Sequence, residues 1–104
     1  MRDSDQEAHR EVTVPNRQGL HARPIMRFVD LASRFRAQVW VTNVSGLGER
    51  VDGKSAMQMM LLEAAFGSAL KIEACGADAR EAVEALAALV AAGFPPESPN
   101  GSIA

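Results

Sequence analysis

Residues 11–41, EVTVPNRQGLHARPIMRFVDLASRFRAQVWV, change the spacing of their apolar residues twice and so indicate three elements. Apolar and polar residues alternate over 11–14, which is the period of a half-buried β-strand. From Ala22 onward the spacing is that of an amphipathic helix, with apolar residues at Ile25, Phe28, Val29 and Ala32. Alternation returns at residues 37–41. The stretch predicts a strand, a helix and a second strand.

The sequence after this unit predicts a hairpin, a short helix and another strand. Glycines mark a turn at residues 46–48, and the short segment 49–51 is predicted to return as the partner strand. Ser55 and Gln58 form the Ser-x-x-Gln pattern of a helix start, so we expect a helix from there to about Met60. Alternating apolar residues then indicate a fourth strand at Leu70, Ile72 and Ala74.

The last predicted element is a helix, and it completes the order β-α-β-β-α-β-α. Asp78 and Glu81 repeat the helix-start pattern. Apolar residues follow three or four apart, at Ala79, Val83, Leu86 and Val90. We expect this helix to end near Gly93, because glycine is preferred just past a helix end. Helices between strands one and two and between strands three and four allow a split βαβ sheet, and the fold predicted is a layered α+β sandwich with helices on one face.

The composition is that of one small globular domain. The chain has 104 residues, of which 47% are hydrophobic and 23% are charged, a balance typical of a folded protein rather than a disordered one. We predict a folded domain over residues 11–93, a flexible polar leader over 1–10 and a flexible tail over 94–104. The formal net charge of −2 argues against a general nucleic-acid binder, since such proteins need an excess of cations or a basic stripe.

Other classes of site and location are disfavoured by the sequence as well. One cysteine, Cys75, offers neither an internal disulfide nor a metal cluster, so we expect no metal and no cofactor. The longest nearly uncharged apolar run, residues 85–94, has 10 residues, whereas a helix that spans a bilayer takes about 20. The N-terminus is polar and acidic where a secretory signal is basic and then apolar. We therefore expect a cytoplasmic protein without membrane insertion.

The candidate for nucleophilic chemistry is His21, at the junction of a loop and the first helix. Pro24 is tolerated in a first helical turn because the N–H groups there lack intrahelical acceptors. His21 therefore stands at the open end of a helix, where free amides and the helix dipole favour an anion. Arg23 adds a permanent cation whose donors match phosphate oxygens. This setting favours the neutral, nucleophilic imidazole and stabilises a phosphoryl group placed on it.

The local pattern leaves a purely structural explanation open for each candidate. His21 is also explained as a helix cap, with Arg23 as a solvated surface charge. Ser55 is explained as an N-cap worth about 1 kcal/mol, although a phosphoserine would place about two negative charges at a positive helix end. His9 lies in the predicted leader without a supporting pattern. Cys75, at a strand end, is interpreted as a small buried hydrophobe.

The short second helix and its end are rich in large apolar residues. These are Met57, Met59, Met60, Leu61 and Leu62. They cannot all face the core, and we expect one or two on the surface, where adaptable methionine side chains suit contact with several partners. An ordinary core with some apolar side chains left outside is equally compatible with the pattern. Lys54, just before the helix, is predicted to be a solvated charge.

Residues 16–24, Asn16-x-x-Gly19-Leu20-His21-Ala22-Arg23-Pro24, resemble the active-site signature of the HPr family. This family comprises the histidine-containing phosphocarrier proteins of the phosphoenolpyruvate-dependent sugar phosphotransferase system. Residues 54–60, Lys54-Ser55-Ala56-Met57-x-x-Met60, are similar to the regulatory serine segment of the family. Gly67 falls at the glycine before its fourth strand, and residues 76–78 match the entry to its last helix. The resemblance covers residues 11–90 and rests on two motifs in the right order.

The resemblance implies an α+β open-faced β-sandwich, in which three helices cover one face of a four-stranded antiparallel sheet in the order βαββαβα. It also implies that His21 accepts a phosphoryl group on Nδ1 from a phosphohistidine of enzyme I, which is charged by phosphoenolpyruvate. His21 would then pass the group to a histidine of an enzyme IIA domain. Arg23 and the backbone amides of Ala22 and Arg23 would stabilise the phosphoryl charge. Such a protein is a stoichiometric carrier rather than an enzyme, and we expect a monomer.

In some family members HPr kinase/phosphorylase modifies a serine with ATP, and Ser55 would be that position. The resemblance places partner docking on residues near His21 and Ser55, namely Leu20, Ile25, Met26, Lys54, Met57 and Met60. The chain departs from the family in a hairpin loop, 44–48, that is a few residues longer. Ile25 and Met26 replace small residues, and Glu63 stands where glycine is frequent.

A function of a different class is also compatible with the two motifs. The chain would then be a regulatory protein-interaction module that Ser55 phosphorylation controls, without a main role in sugar transport. Acid-stable phosphate formed on Ser55 with ATP and a kinase would support this alternative. Phosphate on His21 from enzyme I would support the carrier.

Overall fold

The computed structural model describes residues 6–46 and 48–95. Its helices and strands follow one another in the order predicted from the apolar spacing. In chain order they are β1 Glu7–Thr13, α1 Ala22–Ala32, β2 Gln38–Asn43, β3 Arg50–Asp52, α2 Ala56–Met60, β4 Ala69–Cys75 and α3 Ala79–Ala91. Within the described residues, no helix has the length and apolar character needed to cross a membrane.

The four strands form one antiparallel sheet in the spatial order β1-β4-β2-β3. Strand β4 pairs with β1 over seven residues and with β2 over six, while β3 pairs with β2 alone among the described strands. Helix α3 packs on β1 and β4, and α1 packs on α3 and α2. The predicted fold class, a four-stranded antiparallel sheet with three helices, is confirmed.

The apolar core lies between the sheet and the helices. In β4 the side chains alternate, so that Leu70, Ile72 and Ala74 are buried while the residues between them are partly exposed. Phe28 of α1 and Leu86 of α3 are fully buried in the same cluster. Each large side chain of this kind contributes about 1.5–3 kcal/mol by leaving water. The core therefore holds α1, which carries the candidate site, firmly against the rest of the fold.

Strand β1 is longer than the sequence predicted, because it begins at Glu7. Glu7 lies opposite Cys75 of β4, and the pairing continues without interruption to the end of the strand. The prediction of a flexible leader is therefore wrong for residues 7–10. Most β1 side chains are exposed at this edge of the sheet, so backbone pairing rather than apolar alternation holds these residues. Residues 1–5 of the predicted leader lie outside the described residues.

The end of α3 near Gly93 is confirmed, but the predicted tail begins too early. Gly93 has a φ of +81°, and its N–H donates to the carbonyl of Val90 at 2.9 Å. The N–H of Phe94 donates to the carbonyl of Leu89 at 3.0 Å, which completes a helix-end motif that glycine permits. This turn buries Phe94 in the core, so the prediction of a flexible tail is wrong at residue 94. Residues 96–104 lie outside the described residues.

Ser55 is the N-cap of α2, as predicted. Its Oγ accepts a hydrogen bond from the N–H of Gln58 at 3.2 Å. In a capping box the Gln58 side chain would accept in return from the N–H of Ser55. Here Oε1 of Gln58 accepts instead from the N–H of Asp52 at 2.9 Å. The Gln58 side chain therefore joins α2 to the end of β3 instead of closing back on Ser55.

Asp78 precedes α3 as predicted, but its side chain makes no capping hydrogen bond. The carboxylate instead accepts from the N–H of Arg36 at 2.9 Å and from the N–H of Ala37 at 2.8 Å. The second capping-box prediction is therefore wrong. The segment after α1 outcompetes the helix end for this carboxylate because its two adjacent N–H groups each reach one oxygen.

The stability of the fold should depend on pH through Asp78. Its pKa lies below the ordinary value of 3.8, chiefly because the N–H of Arg36 donates to the carboxylate, with help from Ala37 and the charge of Lys54. Such a carboxylate stabilises the folded chain above the unfolded-state pKa, and this contribution is lost as the pH falls through the folded-state pKa. We expect Asp78→Asn to lower the urea midpoint at pH 7 and to lower it less at pH 3, which is below the unfolded-state pKa of about 3.8. Equal losses at both pH values would contradict this account.

Candidate functional site

His21 begins α1 through its backbone while its side chain stays free. Its φ of −107° and ψ of −167° are extended, and its carbonyl accepts from the N–H of Ile25 at 3.1 Å. The residue is exposed, and its imidazole makes no capping hydrogen bond in the part of the chain that the structure describes. His21 is therefore the N-cap of α1, as the structural explanation holds, but its side chain takes no part in the cap. The ring is available to molecules arriving from solvent.

The first turn of α1 leaves two backbone donors open beside this imidazole. Ala22 and Arg23 occupy its first two positions, and their N–H groups donate to no backbone carbonyl of residues 6–46 or 48–95. Pro24, the third residue, has no N–H, and the N–H of Ile25 is already used by His21. An anion at this end therefore meets the amides of Ala22 and Arg23 together with the positive end of the helix dipole.

The loop before α1 is anchored by hydrogen bonds to distant parts of the fold. The N–H of Gly19 donates to the carbonyl of Asn16 at 3.0 Å, and the N–H of Leu20 donates to the carbonyl of Ala64 at 2.8 Å. Nδ2 of Asn16 donates to the carbonyl of Gly93 at 3.2 Å. The loop is thereby tied to the segment after α2 and to the end of α3. These contacts hold the start of α1 in one position.

Two exposed guanidinium groups flank the histidine in sequence, Arg17 in the loop and Arg23 in α1. Neither forms an ion pair with any residue that the structure describes. Arg27, one helical turn beyond Arg23, differs because its Nη1 donates to the carbonyl of Pro95. Arg23 therefore brings an uncommitted positive charge to the turn that carries the open amides. Together they are suited to hold a phosphoryl group.

Ser55 and Lys54 stand where the chain enters α2, the helix that packs against α1. Ser55 is partly exposed, and its hydroxyl oxygen is engaged as the N-cap. Lys54 is not the solvated charge that was predicted, since its Nζ donates to the carbonyl of Phe35 at 2.7 Å. Its ammonium group is thus held against the turn after α1, which reduces its freedom to contact a partner.

The apolar residues predicted to dock partners divide into exposed and buried ones. Met26, Met57 and Met60 are exposed, and Leu20 is partly exposed. Ile25 is buried, with only 2% of its surface accessible, because it lies on the face of α1 that packs into the core. The assignment of Ile25 to a docking surface is therefore wrong.

Sequence reasoning missed the exposure of Phe66, and it named Leu61 only within a set of which one or two were expected on the surface. Leu61 is 70% exposed and Phe66 is 64% exposed. Both belong to the segment after α2, whose Ala64 carbonyl receives the hydrogen bond from Leu20. The sequence signal for Leu61 was an apolar run that is too long for one face of a five-residue helix, whereas the sequence held no such signal for Phe66.

More of the large apolar residues at α2 are exposed than the sequence predicted. Met59 and Leu62 belong to the core. Met57, Met60 and Leu61 are exposed, which is three side chains rather than the one or two expected. The helix is too short for its period to decide which side chains turn inward, so packing against the core decides it.

The remaining candidates lie on the sheet, away from the start of α1. His9 is exposed on β1 and stands opposite Glu73 of β4. Cys75 ends β4 and is partly exposed, so it is not the buried hydrophobe that was predicted. Among the residues described, no three or more His, Cys, Asp or Glu side chains are arranged to hold a metal ion.

Comparison with known proteins matches residues 8–92 to the family model described as "PTS HPr component phosphorylation site". The chain is 40% identical over 86 residues to phosphocarrier protein NPr of Proteus mirabilis, covering 83% of this chain and 93% of that protein. It is 43% identical over 79 residues to phosphocarrier protein HPr of Neisseria meningitidis serogroup A, covering 76% of this chain and 85% of that protein.

A solved structure agrees with these sequence matches. The crystal structure of phosphocarrier protein HPr from Bacillus anthracis superposes with a TM-score of 0.75 at 40% identity, covering 83% of this chain and 99% of that one. The similarity thus extends over the strands, the helices and the loop before α1. The chain belongs to the HPr family, the phosphocarrier proteins of the phosphotransferase system.

Proposed function

We propose that the chain carries phosphoryl groups on Nδ1 of His21, taking them from a phosphohistidine of enzyme I and passing them to a histidine of an enzyme IIA domain. One observation carries this proposal: an exposed imidazole at the N-terminus of α1, beside the open N–H groups of Ala22 and Arg23. The names of relatives, phosphocarrier protein and multiphosphoryl transfer protein, support it. Incubation with phosphoenolpyruvate and enzyme I, followed by an enzyme IIA domain, tests it.

Each transfer is a displacement at phosphorus. Nδ1 of His21 forms the new N–P bond while the N–P bond to the donor imidazole breaks, and the acceptor histidine later reverses the roles. Charge spreads over the three equatorial oxygens during transfer. The amides of Ala22 and Arg23 and the guanidinium of Arg23 stabilise that charge. Because each half-reaction leaves the protein covalently changed, it acts as a carrier rather than as a catalyst.

An exposed site suits a carrier that must meet two partners in turn. Phosphoryl transfer depends mainly on positioning and charge stabilisation, so no deep pocket is required. The proposed partners are enzyme I, enzyme IIA domains and HPr kinase/phosphorylase. We propose that the carrier acts in the cytoplasm. It is proposed to be a monomer, because the face around His21 has to become free again after each partner leaves.

Arg23→Ala is expected to accept phosphate from enzyme I about a hundredfold more slowly, because one donor to the transferring oxygens is lost. The transfer rate of Arg23→Lys should lie between those of Arg23→Ala and the wild type, since a lysine ammonium keeps the charge but lacks the planar guanidinium. Arg17→Ala, which removes an exposed cation from the preceding loop, is the matched control and should transfer at nearly the wild-type rate. Single-turnover labelling measures all three. Unchanged transfer by Arg23→Ala would remove its role.

We propose in addition that phosphorylation of Ser55 regulates the carrier. Ser55 begins α2, which packs against α1 and exposes Met57 and Met60. A phosphate there would add about two negative charges next to the proposed docking residues. Enzyme I would bring a second phosphoryl group to the same side, and like charges repel. Phosphorylation of Ser55 should therefore slow transfer to His21.

The serine proposal has a matched pair of variants. Ser55→Asp keeps a capping oxygen and adds a charge, so transfer from enzyme I is expected to slow about fivefold to tenfold. Ser55→Ala loses the cap, worth about 1 kcal/mol, but should transfer normally. Incubation with ATP and HPr kinase/phosphorylase should give acid-stable phosphate on the wild type and none on Ser55→Ala. Labelling of Ser55 without any labelling of His21 would favour the regulatory module instead.

A further inference from the structure

A cavity of about 170 Å³ lies where the β2–β3 hairpin meets the end of α2. This hairpin cavity is lined by Asn43, Leu62 and the exposed Leu61, together with Glu49 and Glu63. Asn43 is buried and fully engaged, since its Nδ2 donates to the carbonyl of Leu62 at 3.0 Å and its Oδ1 accepts from a hairpin N–H at 3.1 Å. Asn43 therefore ties the hairpin to the segment after α2 beside the cavity.

The rim of the hairpin cavity is negatively charged. Glu49 and Glu63 are both exposed, and neither pairs with a cation in the described ranges 6–46 and 48–95. The next residue after Glu49, Arg50, is stacked over the ring of Trp40 at 4.5 Å. Its charge is thereby held over the indole. Two carboxylates consequently stand over an apolar wall without a positive partner.

Glu63 is kept at a backbone position that disfavours it. Its φ is +48°, a conformation that costs a residue with a Cβ about 1–2 kcal/mol and costs glycine nothing. The side chain makes no hydrogen bond with the described residues that would offset this strain. Strained residues of this kind often serve a function. The strain therefore supports a role for the Glu63 carboxylate in binding another molecule.

We propose that the hairpin cavity binds a lysine or arginine side chain of a partner protein. The aliphatic stem of that side chain packs against Leu61, and its cationic head reaches Glu49 and Glu63. The cavity holds one side chain, since pockets for small organic ligands are about 300–1,000 Å³. Its charge repels nucleic acid and anionic membranes. A protein with a basic surface is therefore the occupant.

This proposal goes beyond phosphoryl transfer, because the two surfaces select partners of opposite charge. The start of α1 offers open amides and the cation of Arg23, which favour an acidic surface around a donor or acceptor histidine. The hairpin cavity offers carboxylates, which favour a basic surface. A basic partner is thus held at the hairpin and disfavoured at His21, so its binding should leave phosphoryl transfer unchanged.

The test uses a basic peptide, acetyl-Leu-Arg-Leu-Arg-amide, titrated into the full ¹⁵N-labelled chain. Among the described residues, we expect amide shifts that saturate at millimolar peptide and are confined to residues 43–46, 48–49 and 61–63. These shifts should weaken from about 20 to about 300 mM salt. The double variant Glu49→Gln, Glu63→Gln should bind at least about tenfold more weakly, equivalent to about 1.4 kcal/mol. The matched control Glu11→Gln, on exposed β1, should bind as the wild type does.

Three results would overturn the proposal. They are equal shifts from the acidic peptide acetyl-Leu-Glu-Leu-Glu-amide, basic-peptide shifts centred on His21 instead, and no shift up to about 5 mM peptide. Transfer from enzyme I separates this proposal from the carrier function. The double variant should be labelled at the wild-type rate, whereas slower labelling would assign the cavity to the phosphoryl partners. His21→Ala should still bind the basic peptide, whatever the outcome of labelling.

Discussion

His21→Ala is expected to take up no phosphate from phosphoenolpyruvate and enzyme I, whereas His9→Ala should be labelled at the wild-type rate. The chain has two histidines, and they differ in surroundings. His21 stands beside the open amides of α1, while His9 lies on β1 opposite Glu73. Loss must be complete because no N–P bond forms without the nucleophile, whereas loss of a stabilising group such as Arg23 only slows the step.

Incubation of each variant with enzyme I and radiolabelled phosphoenolpyruvate measures its uptake of phosphate directly. The label on the wild type should be acid-labile and base-stable, as expected for phosphohistidine, and should move on to an enzyme IIA domain. Urea unfolding should show nearly equal stability for both variants, since each replaces an exposed side chain. Label retained by His21→Ala, or lost by His9→Ala, would refute the assignment of His21.

Gly19→Ala is expected to destabilise the fold by about 2–5 kcal/mol and to slow phosphoryl transfer. Gly19 has a φ of +71°, and a Cβ there would lie 2.7 Å from the carbonyl oxygen of Ala64. That oxygen already accepts from the N–H of Leu20 at 2.8 Å. The conformation costs about 1–2 kcal/mol and the overlap about 1–3 kcal/mol more. The loop must move away from Ala64, and His21 moves with it.

Gly67→Ala is the matched control for this experiment. Gly67 has a φ of +86°, but nothing lies within 4 Å of a Cβ added there. Gly67→Ala should be destabilised only by the cost of a positive φ in alanine, about 1–2 kcal/mol, and should transfer phosphate normally. Since a domain of this size loses about 4–8 °C per kcal/mol, thermal unfolding separates the two variants. Equal losses would show that the close approach of Gly19 to Ala64 is unimportant.

The sequence by itself determined the order of elements and the position of the proposed phosphoryl site. Each main helix and strand buries a regular face, so apolar spacing revealed it, as the buried Phe28 of α1 and Leu86 of α3 illustrate. The start of α1 was equally local, because a proline after a loop begins a helix whatever packs around it. His21 and the open amides of Ala22 and Arg23 follow directly from that helix start.

Only the tertiary structure decided which side chains and backbone groups meet across the fold. Glu7, His9 and Arg10 are polar, yet they join the sheet because β4 offers them a backbone to pair with. Ile25 turns inward and Leu61 outward, and Asp78 leaves its own helix to bind the turn after α1. In each case the local pattern allows two outcomes. The free energy of packing or pairing with a distant segment selects one of these outcomes. That free energy depends on residues far away in the sequence, so the local pattern does not reveal it.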